Sequence, residues 1–515
     1  MTAEMDERSE PGADGRSLQR RIGSVASASA VALVFGEVIT LGQTIALARL
    51  LSPAEVGLFT AGTVLTAFLG NFVEGGLRSG LVHRRDGVAI AAETVFWATM
   101  IAGLLMGAAA LALSPVVGLV FHSRTAALIA AATSGVLFLF SFTNVPEALL
   151  QRNFSVRRRL IVGPTVGLSY AVVAVFTAAI GWGVWSLVAG MYASYLAWVA
   201  ALWLITDWRP GRARPSIHVW RELSRYGLPL VLGMLGARIQ SIAETTIIGR
   251  GLSGAALGQY RYGQRISAIP GRAIIEVGAI ALFPAFSRVG ADPERLHTAY
   301  LRAIRWATIG AAALSGLMVA LGVPAAEIVL GSSWRAAGVV VMAMAGLGLG
   351  KALISVSEEA IKGRGRTGLL NWYTLTEVTL GIVLLVVLVK PLGLVGVGLA
   401  VSLTALLVGV TCVGLARTVI GFSIREVCAA VLPQLPCAAV ATAACWATEH
   451  LLFRSESRPI AAGVLLICCD VAIFGLTYLG TLRLAMPSTT RQLVRTVADI
   501  SRRARSLPTP SRTDE

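Results

Sequence analysis

The sequence predicts an all-α polytopic membrane protein of about fourteen transmembrane helices: two six-helix lobes in a parallel pseudo-twofold repeat, plus two extra C-terminal helices. Three observations carry this expectation. Of 515 residues, 55% are hydrophobic and 14% charged, and the mean hydropathy is +0.73, outside the balance of a soluble globular domain. Apolar runs of the length needed to cross a bilayer, about 20 helical residues, occur fourteen times. The phrase "ARLLSPAEVGLF" at 48–59 returns as "GRGLSGAALGQY" at 249–260.

The chain opens on a tail, 1–21, that is polar and acidic and lacks a signal peptide's short apolar core. It reads as a disordered cytoplasmic segment. Spans 1–6 follow near 23–47, 56–77, 93–114, 126–149, 160–180 and 184–206, forming an N-lobe over 22–206. Only "GWG" separates spans 5 and 6. A cytoplasmic linker, 207–225, combines "RPGRARP" with the amphipathic "SIHVWRELSR". Spans 7–12, near 226–249, 263–286, 304–323, 338–361, 369–389 and 393–416, form a C-lobe over 226–416. Pro229 is expected to mark the start of span 7, because a helix tolerates proline in its first turn. Pro270-Gly271 is expected to bend span 8. Residues 417–482 hold the extra spans, near 427–449 and 459–482. The basic tail 483–515 places Leu493, Val494, Val497, Ile500 and Leu507 opposite arginines, a pattern suited to the anionic inner leaflet.

Charge placement tests the count. With the spans taken in alternation, 32 of the 44 Lys and Arg fall on the side of the N-terminal tail, 8 on the other and 4 within spans. By the positive-inside rule both termini are cytoplasmic. The net charge of +16 is therefore topology rather than a nucleic-acid footprint, which needs a basic face on a folded soluble domain. The six cysteines sit in or beside the last three spans, and the five histidines are scattered, without disulfide, metal-ligand or triad spacing. "AGLGLGKA" at 345–352 lacks the first Gly and the Ser/Thr of a phosphate loop.

The repeated phrase aligns Arg49 with Arg250, Ser52 with Ser253 and Gly57 with Gly258. "EALLQR" at 147–152 is answered by "EAIKGR" at 359–364, and Arg124 by Arg335. A six-helix unit has been duplicated. Because six is even, both copies enter the membrane from the same side, as in a parallel repeat that rocks about a central cleft.

Charged residues inside spans cost about 2.5–3.5 kcal/mol each on insertion scales, so they mark wet cavities or pairs. In span 8, Arg261, Arg265, Arg272 and Glu276 follow spacings of four, seven and four, one face of a helix. Guanidinium forks suit phosphate oxygens. The repeat sets Glu37 against Arg238 and Gln43 against Glu244, which makes Arg238 a further substrate-binding candidate. Glu37, Glu244 and Glu276 are the ion-pair or ion-coupling candidates, with Glu74 in "NFVEGGLRSG" a weaker one. Lys351, Glu358 and Glu359 read as gate-side or solvated, and Glu377 and Asp470 belong to no constellation. No cofactor or metal is expected, beyond a coupling proton or sodium ion.

"LARLLSPAEVGLF", "PEALLQRNFSVRR", "GWGVWSLVAG", "TTIIGRGLSGAALGQYRYGQR", "LFPAFSR", "LGSSWRAAG" and "KGRGR", in that order between about residues 22 and 425, resemble the bacterial oligosaccharide flippases, or polysaccharide export proteins. These belong to the multidrug/oligosaccharidyl-lipid/polysaccharide exporter superfamily. The resemblance implies a two-lobed inner-membrane carrier that moves undecaprenyl-pyrophosphate-linked oligosaccharide for lipopolysaccharide or exopolysaccharide synthesis. The polysaccharide polymerase and export machinery would be its protein partners, and many relatives carry Asp where this chain has Glu244. A drug or metabolite antiporter of the same superfamily is the near alternative. A polymerase or ligase is the remote one, because the short outer loops offer neither paired carboxylates nor a nucleophile with its base.

Overall fold

The computed structural model describes residues 36–153, 158–277, 282–289, 292–487 and 491. The N-terminal tail and the amphipathic stretch beyond Leu493 lie outside them. The described residues are helical, without strands. They divide into two compact units, Met1–Arg250 and Gly251–Glu515.

The first unit runs α1 (36–50), α2 (Pro53–Glu74), α3 (Leu77–His83), α4 (Val88–Phe121), α5 (Arg124–Thr133), α6 (Gly135–Ser141), α7 (Asn144–Arg152), α8 (Gly163–Ala179), α9 (Trp185–Ile205) and α10 (Ile217–Gly251). The second runs α11 (Gly254–Val277), α12 (Phe283–Val289), α13 (Pro293–Leu330), α14 (Arg335–Ala343), α15 (Gly346–Gly363), α16 (Leu370–Ile420), α17 (Ile424–Val431), α18 (Gln434–Ala447) and α19 (Ile460–Ala485). Among the described residues nine helices are long and apolar enough to cross a membrane, ten if the bent pair α14–α15 counts as one span. Each of the fourteen expected spans has a helical counterpart. Spans 11 and 12 join in α16, which breaks at Gly393, whose φ of 57° and ψ of −133° are not helical.

The twice-used phrase is a helix start. Ser52 caps α2 through a reciprocal box: its Oγ accepts from the Glu55 N–H at 3.4 Å, while Glu55 Oε2 accepts from the Ser52 N–H at 2.8 Å. Ser253 repeats the cap on α11, its Oγ accepting from the Ala256 N–H at 3.0 Å. The duplication extends to irregularities. The fourth span breaks at Ser134, and its counterpart breaks at Met344–Ala345. The third span and its counterpart carry internal prolines, Pro115 in α4 and Pro324 in α13.

Pro229 departs from expectation. It lies inside α10, twelve residues past the start, because the amphipathic 217–225 is itself helical and continuous with span 7. The proline removes one backbone donor within the helix and does not begin it. α11 runs unbroken through Pro270-Gly271 to Val277.

The segment 206–216 between α9 and α10 is irregular but fastened to its own unit. Glu93, 1% exposed at the start of α4, accepts the Gly211 N–H at 2.8 and 3.0 Å on its two oxygens and the Trp97 indole N–H at 3.0 Å. Thr94 Oγ1 accepts the Ser216 N–H at 3.0 Å, and Arg84 pairs with Glu222 at 2.9 Å. Removing a buried acceptor strands its donors at about 1–3 kcal/mol. Glu93→Ala is therefore expected to release this segment, and limited tryptic proteolysis in detergent should cut faster after Arg212, whose neighbours Arg209 and Arg214 are each shielded by a following proline. An unchanged cleavage rate would mean that the latch does not hold the segment.

Packing within the units uses apolar and small residues. In the second unit Tyr300 stacks on Phe422 at 4.8 Å, and its hydroxyl meets Ser357 at 3.0 Å in the core around Leu296, Ile304 and Ile361. α18 and α19 pack on α13 through Cys445, Phe474 and Tyr478, whose hydroxyl donates to the Ile309 carbonyl at 2.9 Å. Leu204 and Leu484 stay 85% and 86% exposed, as side chains facing lipid would.

Candidate functional site

A cavity of about 510 Å³ opens within the first unit between α2, α6, α8, α9 and α10. Its longest wall is one face of α2: Phe59, Thr63, Thr66, Ala67, Gly70, Asn71 and Glu74. These recur at steps of three and four, so they stack along a helix of 3.6 residues per turn. From Phe59 to Glu74 the face climbs roughly 22 Å at 1.5 Å per residue. Thr63 Oγ1 donates to the Phe59 carbonyl at 2.8 Å, and Asn71 Nδ2 donates to the Ala67 and Phe68 carbonyls at 3.0 and 2.9 Å. Their donors are thus satisfied within the helix, and oxygen acceptors are left for the cavity. Tyr170, Met191, Ser194, Tyr195 and Phe140 complete the opposing wall.

Two charged candidates meet this cavity. Glu74 is the last residue of α2, where Gly75 (φ 55°) and Gly76 (φ 69°) turn the chain into α3. Broken helices inside a membrane are tolerated where the freed backbone lines a cavity or is buried in protein. Arg78, one turn on, neutralises Glu74 at 3.2 Å. Arg238 enters from α10, about 20 Å before that helix ends at Gly251, and its side chain is exposed to the cavity. Among the described residues Arg238 forms no ion pair, with Glu37 or any other carboxylate. Among the described residues, then, the Arg238 guanidinium in this cavity is paired with no carboxylate.

The relative placement of α2 and α10 is fixed by a backbone crossing. A Cβ added at Gly76 would sit 2.5 Å from Gly227 Cα, and one at Gly227 would sit 2.7 Å from the Gly75 oxygen. Only glycine permits that approach.

The remaining candidates lie elsewhere. Glu37 is exposed on α1 and is not among the lining residues. Glu244, further along α10, accepts from Gln240 Nε2 at 3.1 Å. On α11 in the second unit, Arg261 and Arg265 are half-buried one turn apart, and Arg261 Nη1 donates to Gln264 Oε1 at 3.2 Å. Arg272 and Glu276 continue that helix, but their side chains lie outside the described part. Lys351 pairs with Glu377 at 2.9 Å, joining two residues that the sequence leaves apart. Lys362 ties Glu358 and Glu359 together at 2.8 and 3.0 Å.

The hydroxyl and amide stripe on α2 was not among the expected site residues. Its signal is the three- and four-residue recurrence of Thr63, Thr66, Asn71 and Glu74 in an otherwise apolar span. Chemically, the cavity combines aromatic faces, hydroxyl groups, an amide and a guanidinium. That lining suits a polar, anionic, hydroxyl-bearing guest.

A family model described as polysaccharide biosynthesis protein matches residues 46–338. The succinoglycan biosynthesis transport protein ExoT of Rhizobium meliloti (strain 1021) is 27% identical over 336 residues, which cover 64% of this chain and 66% of that protein. The lipopolysaccharide biosynthesis protein WzxC of Escherichia coli (strain K12) is 24% identical over 329 residues, 62% of this chain and 65% of that one. The chain thus spans a little under two thirds of the length of the curated relatives it matches. Among solved structures, the lipid II flippase MurJ in an inward closed conformation superposes with a TM-score of 0.72 at 13% identity, over 90% of this chain and 99% of that one. An inward-facing multidrug resistance MATE family transporter of the MOP superfamily gives 0.62 at 18% identity, over 76% and 98%. At such identities the two structures speak for the fold alone.

Proposed function

The chain belongs to the polysaccharide biosynthesis protein family, and on that premise we propose that it carries a lipid-linked oligosaccharide across the inner membrane. The cargo would be a precursor of the undecaprenyl-pyrophosphate type, destined for a surface polysaccharide. The observation that supports this reading best is Arg238, which among the described residues pairs with no carboxylate, in a cavity of hydroxyl groups and aromatic rings. A pyrophosphate must shed water to cross, and a guanidinium can replace that water with paired, charge-assisted hydrogen bonds. Two of its relatives, a succinoglycan biosynthesis transport protein and a lipopolysaccharide biosynthesis protein, fit the same cargo class.

Movement would follow from alternating access of two six-helix lobes, 22–206 and 226–416, with both termini cytoplasmic, and Arg261, Arg265 and Arg272 are proposed as further contacts for the anion. Glu37, Glu244 and Glu276 are the carboxylates proposed to carry a coupling proton or sodium ion. The reading is tested by deleting the protein from its own bacterium. The lipid-linked precursor should accumulate with its sugar on the cytoplasmic face, and surface polysaccharide should return with the wild-type chain. Normal polysaccharide in the deletion strain, or drug sensitivity as its only phenotype, would count against the reading.

A further inference from the structure

The last two spans bury two carboxyl groups that the transport cavity does not use. Glu449 is 1% exposed in the π-helical turn Thr448–Phe453 that follows α18, and Asp470 is fully buried in α19. The Asp470 carboxyl lies within hydrogen-bonding reach of the Glu449 carboxyl. Among the described residues neither forms an ion pair. Two ionised carboxylates buried this close together repel strongly.

Counting donors locates the remedy. Glu449 is fully served as an anion: its Oε1 accepts the Ser455 N–H at 2.8 Å and its Oε2 accepts the Ser455 hydroxyl at 2.7 Å. Asp470 is not. Its Oδ1 faces Thr448 Oγ1 at 2.6 Å, but that hydroxyl also faces the Cys445 carbonyl at 2.9 Å, and it has one hydrogen for two acceptors. Among the described residues no donor reaches Asp470 Oδ2. The cluster is one proton short, and a proton shared between the Asp470 and Glu449 carboxyls supplies it, leaving the Thr448 hydroxyl hydrogen for Asp470 Oδ1.

The other titratable groups nearby are engaged elsewhere. The His450 ring stacks on Trp446 at 4.6 Å, with its Nδ1 at 3.0 Å from the Trp446 carbonyl. The Cys445 thiol donates to the Asp470 backbone carbonyl at 3.6 Å, and the Arg454 guanidinium donates to the His450 carbonyl at 3.4 Å. From α13 and α14, Glu327 pairs with Arg335, which also reaches Glu456.

We propose that Asp470 and Glu449 form a proton-binding site that fastens the C-terminal helical hairpin. The bound proton joins α19 to the turn after α18, and its loss sets two buried negative charges against each other. The site is independent of the cargo reading, and its test needs no transport assay. Infrared spectra of the full chain in lipid at pH 7 should show a protonated-carboxyl C=O band that is lost in Asp470→Asn and shifted in Glu449→Gln. On the unmodified protein, an apolar carbodiimide should label Asp470, because the acid proton must pass to the reagent nitrogen as the carboxyl oxygen adds to its carbon. Identical spectra for wild type and Asp470→Asn, or no adduct on Asp470, would overturn the proposal. So would loss of the band when choline chloride is replaced by sodium chloride, which would make the pair a cation site.

Discussion

Arg238→Gln is expected to abolish polysaccharide export while the protein still reaches the membrane. The side chain is exposed to the cavity and forms no ion pair among the described residues, so glutamine strands no partner and leaves the fold intact. What it removes is the charge that would meet a pyrophosphate. Two charge-assisted hydrogen bonds, at about 1.5–3 kcal/mol each, amount to roughly a 10²–10⁴-fold loss. Arg238→Lys keeps the charge but not the planar fork, so an intermediate loss of roughly tenfold is expected. Surface polysaccharide measured in a deletion strain, alongside membrane abundance of each variant, checks the order Arg over Lys over Gln. Equal export by all three would remove Arg238 from the cargo path.

Gly227→Ala should act through the scaffold. Its new methyl group would meet the Gly75 oxygen and the Gly76 carbonyl carbon at 2.7 Å, and these are backbone atoms that no side-chain rotation can move aside. Overpacking costs about 1–3 kcal/mol where side chains can yield, and a backbone clash lies at or above the top of that range. Separation of α10 from the α2–α3 turn would also shift Arg238 away from Glu74, so export and thermal midpoint should fall together. Gly80→Ala is the control. Its Cβ would come within 3.0 Å of the Leu223 Cδ2 methyl, the far end of a flexible side chain, and should be tolerated. Thermal unfolding of the two purified variants separates them, and equal midpoints would mean that the crossing is not tight.

Local features were legible in the sequence because they depend on near neighbours. The phrase at 48–59 and its echo at 249–260 mark matching positions in the two halves, and the charged residues Glu74 and Arg238 stand out in apolar spans. That these two share one cavity was not legible, since α2 and α10 are brought together by Gly76 and Gly227, which read as turn and helix residues. Lys351 and Glu377 were seen singly for the same reason, and Glu449 with Asp470 was missed because a turn between spans had to fold inward. Pro229 was misplaced because polar residues at 217–225 resemble a loop by composition, although their periodicity is helical. The expectation of opposite charges across the repeat, Glu37 against Arg238, assumed that both face one space. The structure lines the cavity with Arg238 and Glu74 instead.

The central claim is that this chain moves a lipid-linked oligosaccharide and that Arg238 receives its anionic head. The most direct test reconstitutes the purified chain in liposomes carrying a polyprenyl-pyrophosphate oligosaccharide with a fluorescent sugar, then adds a membrane-impermeant quencher. With the wild type, quenching should extend beyond the outer-leaflet half to nearly all of the label, whereas Arg238→Gln should leave it at the half seen in protein-free liposomes. Quenching by the wild type no greater than in empty liposomes, or equal quenching by Arg238→Gln, would contradict the claim.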